Sequence, residues 1–396
     1  MVLAFAKKLN RRKTASPCRQ RTGSNLFASY RVMVERNAAR GLRIPPKIAA
    51  FVSLLGLVAS VTSAKPAERI SHTNLLHFRD AKGAVQIIRS TNEWKARRLA
   101  ILAAMVEVMG PLPGKEKRCP LDVMVEEEVD CGDHVRRLIS YASEPGSRVP
   151  AYLLVPKAAL NSAGKFPGAL ALHQTHALGH KVVVGLGSSP NDEYGVELVK
   201  RGYVCLAPSY PLLANYQPNV KGLGYESGTM KAIWDNLRGV DLLESLPYVK
   251  RGSFGAIGHS LGGHNSIYTA AFDERIKVIV SSCGFDSFRD YQDGNITGWT
   301  SQRYMPKLKI YAPDSYPFDF HEIIGALAPR AVFVNAPIGD TNFKWRSVDA
   351  VTTSARNVFH LYGKPERLRV EHPDCGHEFP RAVREEAYKL FDRHLK

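Results

Sequence analysis

The stretch Ser253-Phe254-Gly255-Ala256-Ile257-Gly258-His259-Ser260-Leu261-Gly262-Gly263 decides how the rest of the chain reads. Phe254 to Ile257 is a short apolar run suited to a buried strand, and residues 265–271 beyond the glycines can be helical. Between them, Gly258-His259-Ser260-Leu261-Gly262 matches G-x-S-x-G, a sharp strand-to-helix turn with a serine at its apex. The glycines have a mechanical reason. So tight a turn strains the serine backbone, and a side chain two residues to either side would run into the strand or the helix. A glycine-rich pentapeptide also arises by chance, so the assignment depends on whether the chain supplies a base, an acid and an oxyanion hole.

The 396 residues suffice for one large domain or two ordinary ones, and 44% hydrophobic with 23% charged residues is the composition of a globular protein. The net charge of +17 suggests a nucleic-acid partner until it is located: residues 1–47 carry twelve Lys and Arg against Glu35 alone, or +11 of the total. The body is only mildly basic, and no nucleic-acid role is expected. Arg36, Arg40, Arg43 and Lys47 precede the uncharged apolar run 48–61, and Thr62-Ser63-Ala64 follows. This is the order of a signal peptide cleaved near Ala64, with Met33 an alternative start. Fourteen apolar residues are too few to span a bilayer, so export without a stable membrane span is expected. Five cysteines follow Ala64 without metal-type spacing; Cys205 and Cys283 read as core thiols, and Cys119 and Cys131 as a pair across a surface loop.

After the signal, residues 65–90 show no period. Apolar residues recur at helical spacing over 93–109, making 65–120 an N-terminal helical elaboration. Strand-like runs at 123–129, 135–142 and 149–155, separated by turn signals, predict an antiparallel meander. From residue 166 strands and helices alternate, which predicts a mostly parallel sheet with helices on both faces. Residues 121–396 thus read as one α/β domain, interrupted after the sixth strand by a lid-like, aromatic-rich insertion at 284–328.

Nucleophilic catalysis by Ser260 needs an imidazole base and a carboxylate to orient it, in the chain order Ser, Asp, His for this type of elbow. Asp340 follows the strand at 331–335 and is the expected acid; Asp349, at a helix start, is the runner-up. His377 lies in the loop after the last strand and is the expected base. His372 stands against the strand end beside Pro373 and reads as structural. The oxyanion hole needs two N–H groups. Leu261 supplies one; His173-Gln174-Thr175 should supply the other, from Thr175 or else Gln174. His173, His259, Trp299 and Tyr304 are candidates for the substrate pocket, with His264, Tyr311 and Tyr316 as further wall or packing residues. No residue spacing calls for a metal or cofactor.

With these residues in place the sequence resembles the α/β-hydrolase superfamily, closest to its dienelactone-hydrolase and acetyl-xylan-esterase-like branches. The likeness covers about residues 120–396. It rests on Arg201-Gly202-Tyr203-Val204, Gly258 to Gly263, Ala328-Pro329-Arg330, Gly339-Asp340 and Gly376-His377-Glu378-Phe379. It implies a cofactor-free Ser–His–Asp esterase acting on small-molecule or carbohydrate esters. Two departures stand out: H-Q-T replaces the usual H-G-G oxyanion loop, and serine stands where dienelactone hydrolases carry cysteine. A serine peptidase of the oligopeptidase type and a non-catalytic binding protein are the alternatives.

Overall fold

The computed structural model describes residues 70–80, 82–313 and 315–396; the basic segment and the signal-type run of residues 1–64 lie outside them. A two-stranded hairpin comes first, β1 (His77–Arg79) against β2 (Val85–Ile87). Its three-residue strands are too short to show alternation, so it escapes a periodicity search. Helix α1 (Thr91–Met109) starts on a capping box in which Ser90 and Glu93 each accept the other's backbone N–H. The meander follows as β3 (Met124–Asp130), β4 (His134–Glu144) and β5 (Ser147–Pro156), paired antiparallel. Then come β6 (Phe166–Leu172), α2 (Tyr194–Lys200), β7 (Val204–Pro208), α3 (Gly228–Ser245), β8 (Val249–His259), α4 (Leu261–Phe272) and β9 (Ile276–Ser282). Helix α5 (Phe320–Ala326), β10 (Ala331–Asn335), α6 (Trp345–Leu361), β11 (Leu368–Glu371) and α7 (Arg381–Leu395) complete the chain.

Nine strands form one sheet in the order β11-β10-β9-β8-β6-β7-β5-β4-β3. It is parallel from β7 through β6 to β11 and antiparallel from β7 to β3. The central strands are apolar throughout because both of their faces are covered. Along β6, Leu170 and Leu172 join the core under α3 and α4, while Ala169 and Ala171 join the core under α2 and α7. The register sets one transverse row at the carboxyl ends: His259 of β8 lies opposite Ser282 of β9, and Ser282 opposite Asn335 of β10.

Residues 284–328 hold short 3-10 turns at Tyr291–Gly294, Ile296–Trp299 and Pro306–Ile310 before α5. Their aromatic rings mostly pack inward; Phe285 stacks on Phe320 with centroids 5.1 Å apart. Arg98 of α1 donates to the carbonyl of Ala326, tying the N-terminal helix to α5. The pairing expected of Cys119 and Cys131 does not form. Both are free thiols, each directed at a nearby carbonyl, Ala142 for Cys119 and Val129 for Cys131. Among the described residues no helix is long and apolar enough to cross a membrane.

Candidate active site

Ser260 caps α4 with φ 53° and ψ −120°, a left-handed region that a residue with a Cβ enters only under strain of about 1–3 kcal/mol. Its surroundings hold it there: the Ser260 N–H donates to Ser282 O at 2.7 Å, and Ser260 O accepts from His264 N at 3.0 Å. The flanking glycines are required sterically. A Cβ on Gly258 would lie 2.2 Å from the backbone of Gly262, and one on Gly262 would lie 1.9 Å from the carbonyl oxygen of Leu172.

Asp340 and His377 meet in space. The His377 Nδ1–H lies 3.0 and 2.9 Å from the two carboxylate oxygens of Asp340, whose Oδ1 also accepts the N–H groups of Asn342 and Phe343. Burial alone would raise the Asp340 pKa; the hydrogen bond and charge of His377 and the two backbone donors outweigh it, leaving the carboxyl below its ordinary value. Asp349 is exposed, and His372 is occupied elsewhere, its Nδ1 on the carbonyl of Ala336 at 2.8 Å.

A cavity of about 190 Å³ opens beside Ser260. Ser260, Leu261 and Thr175 line it on one side and Tyr291, Trp299, Tyr304 and Phe343 on the other. Phe343 also sits 6.0 Å, ring to ring, from His377. Trp299 and Tyr304 therefore face the cavity. Tyr311 bonds Glu107 and Tyr316 packs on Phe288. His264 is buried between Tyr268 and Trp299, at 4.0 and 4.8 Å. Desolvation pushes its pKa down to about 3.

His173 and His259 are buried and bonded into the scaffold behind the cavity. His173 Nε2 accepts the N–H of Tyr210 at 3.0 Å, so the ring proton resides on Nδ1, which donates to the carbonyl of Gln174 at 2.8 Å. Burial keeps this ring neutral, with a pKa of about 4. Gln174 is buried beside Asp192 and is not among the residues that line the cavity.

Cys283 was read only as a core thiol, yet its Sγ, an Asp340 oxygen and a His377 nitrogen all lie within 4.8 Å of one another. Burial, and after it the charge of Asp340, push the thiol well above its ordinary pKa. A metal-binding thiolate is disfavoured there, and the thiol donates instead to the carbonyl of Glu378 at 3.5 Å.

Sheet order, the strained serine at a strand–helix junction and the Asp–His pair on later loops define the α/β-hydrolase fold, and the chain has it. No protein-family model matches the chain. The Bacillus subtilis (strain 168) protein YtaP, whose hydrolase name is itself provisional, is 25% identical over 260 residues, 63% of this chain and 84% of its own. A glucuronoyl esterase from Solibacter usitatus superposes with a TM-score of 0.66 at 19% identity, covering 83% of this chain and 99% of that one. A carbohydrate esterase family 15 glucuronoyl esterase from Caldicellulosiruptor kristjansonii does so with a TM-score of 0.62 at 18% identity, over 83% and 91%.

Proposed function

We propose that the protein is a serine carboxylic-ester hydrolase with Ser260 as nucleophile, His377 as general base and Asp340 as the group that orients it. The observation that carries this reading is the Asp340–His377 pair, together with a strained serine that opens onto a cavity whose wall residue Phe343 packs near the His377 ring. Because Nδ1 of His377 is committed to Asp340, Nε2 is the nitrogen left to take the Ser260 proton as Oγ attacks the ester carbonyl. His377 then returns that proton to the departing alcohol, and water repeats the cycle on the acyl-serine. An ionised Asp340 stabilises the transient imidazolium.

The negative oxygen is received by two backbone donors at the cavity wall. Leu261 opens α4, whose first N–H groups have no partner within the helix. In a trans peptide the C=O and N–H point to opposite sides. With the Gln174 carbonyl held by His173, the Thr175 N–H is turned the other way, and Thr175 lines the cavity. His173 thus does for the H-Q-T loop what glycine freedom does in H-G-G loops.

Small acyl groups suit a cavity of this size, with residues 284–328 supplying its aromatic roof. The esterase names of the structural neighbours favour an ester of a carbohydrate as natural substrate, and the run 48–64 favours export. Purified protein should hydrolyse short-chain nitrophenyl esters and react with a fluorophosphonate at Ser260. Ser260→Ala should lower kcat by at least about 10³-fold. Absence of both turnover and labelling in the wild type would sink the proposal.

A further inference from the structure

Behind the proposed triad, the transverse row of strand ends is joined side chain to side chain. Asn335 Nδ2 donates to Ser282 Oγ at 2.8 Å, and Ser282 Oγ lies 3.0 Å from His259 Nδ1. The His259 ring packs on the His377 ring, with centroids 4.8 Å apart. Asn335 Nδ2 also donates to the carbonyl of Glu378 at 2.9 Å. The row is dry: His259 is 6%, Ser282 0% and Asn335 1% exposed.

The donors fix the direction of the chain. An amide N–H only donates, so Ser282 Oγ accepts from Asn335; of the two acceptors within reach of its own proton, His259 Nδ1 at 3.0 Å is nearer and stronger than Cys283 Sγ at 3.8 Å. Nδ1 of His259 therefore accepts, and the ring proton sits on Nε2. The ring must be neutral for this pattern to hold, as deep burial and the nearby His377 make it.

Resting on the esterase reading above, we infer that His259, Ser282 and Asn335 are positioning residues that hold the His377 loop through the Glu378 carbonyl and through the packing of the His259 ring on the His377 ring. The nucleophile belongs to the same framework, since Ser260 N donates to the main-chain oxygen of Ser282. The strained serine and the loop that carries the base are thus held to the same strand ends. Misplacement of a base by about 1 Å costs up to about 10²-fold in rate.

Ser282→Ala removes the donor to His259 with little change of volume. It should lower kcat about tenfold, with KM within about twofold and the melting temperature nearly unchanged, and slow fluorophosphonate labelling in parallel. His259→Phe should do at least as much, and the double variant no more than His259→Phe alone, because the two act through one chain. Nitrogen-15 NMR of the wild type should show His259 as the neutral Nε2–H tautomer across pH 5–8. A wild-type kcat in folded Ser282→Ala, additive losses in the double variant, or an Nδ1–H or titrating His259 would each overturn the inference. Inert, unlabelled wild type overturns the esterase reading instead, and the tautomer measurement still decides the row.

Discussion

Under α3, Lys231, Glu144 and Asp235 form a buried cluster in which every charge has a partner, whereas at the ends of β8, β9 and β10 His259, Ser282 and Asn335 form one in which nothing is charged. Lys231 spends its three N–H groups on Ser143, Glu144 and Asp235, at 3.1, 2.9 and 2.6 Å. Glu144 also takes Lys117 and the hydroxyl of Tyr225. Such a set is closed: the ammonium has no N–H left, and none of the three residues lines the cavity. The strand-end row is instead open at one end, delivering a hydrogen bond from Asn335 to the backbone of the histidine loop. Burial and polarity alone do not separate a structural cluster from a functional one. What separates them is where the chain of donors ends.

The sharpest way to test that contrast is to damage each region once. Asp340→Asn should lower kcat by about 10²–10⁴-fold, because an amide cannot stabilise the imidazolium and invites the wrong histidine tautomer. Lys231→Met should do the opposite. Leaving Asp235 buried without a cation, and Glu144 with Lys117 alone, costs about 3–5 kcal/mol in denaturant unfolding, with kcat per folded molecule unchanged. A large kcat loss in Lys231→Met would erase the distinction drawn between the clusters.

Acid sharpens it further. The Asp340 pKa is lower folded than its ordinary 3.8, so its stabilising contribution is complete above that value and fades as the pH falls through the lowered one. The gap in melting temperature between wild type and Asp340→Asn should therefore narrow on acidification below about pH 3.8. The smallest effect is expected far from both clusters. Ser90→Ala, which removes one half of the α1 capping box, should cost about 1 kcal/mol and leave kcat alone.

Much of the fold was legible in the sequence because its signals are local. The turn pairs Cys131-Gly132-Asp133 and Glu144-Pro145-Gly146 mark the meander, and the strand–helix alternation after residue 166 marks the parallel half. The elbow carries its own glycines, and chain order singled out Asp340 and His377, which the structure brings together. The supporting row was invisible for a physical reason. His259 and Ser282 are 23 residues apart and Ser282 and Asn335 are 53 apart, so only strand register aligns them. His259 looked like a wall of the pocket because it neighbours Ser260, yet a strand alternates its side chains and turns it away. The role read for His173 likewise depends on a hydrogen bond that orients a single peptide, which no residue pattern records.

The row also changes what a register error would mean in this protein. Sliding β9 by one residue between β8 and β10 would send Ser282 to the other face of the sheet while leaving the β-branched run Val278 to Val280 to fill either core. Such a molecule could melt cooperatively and bind ligands at its surface, yet hold its base out of line. Selection on this sheet therefore acts on alignment as well as on cohesion. A library of β9 variants sorted for stability alone would be expected to contain well-folded proteins that do no chemistry.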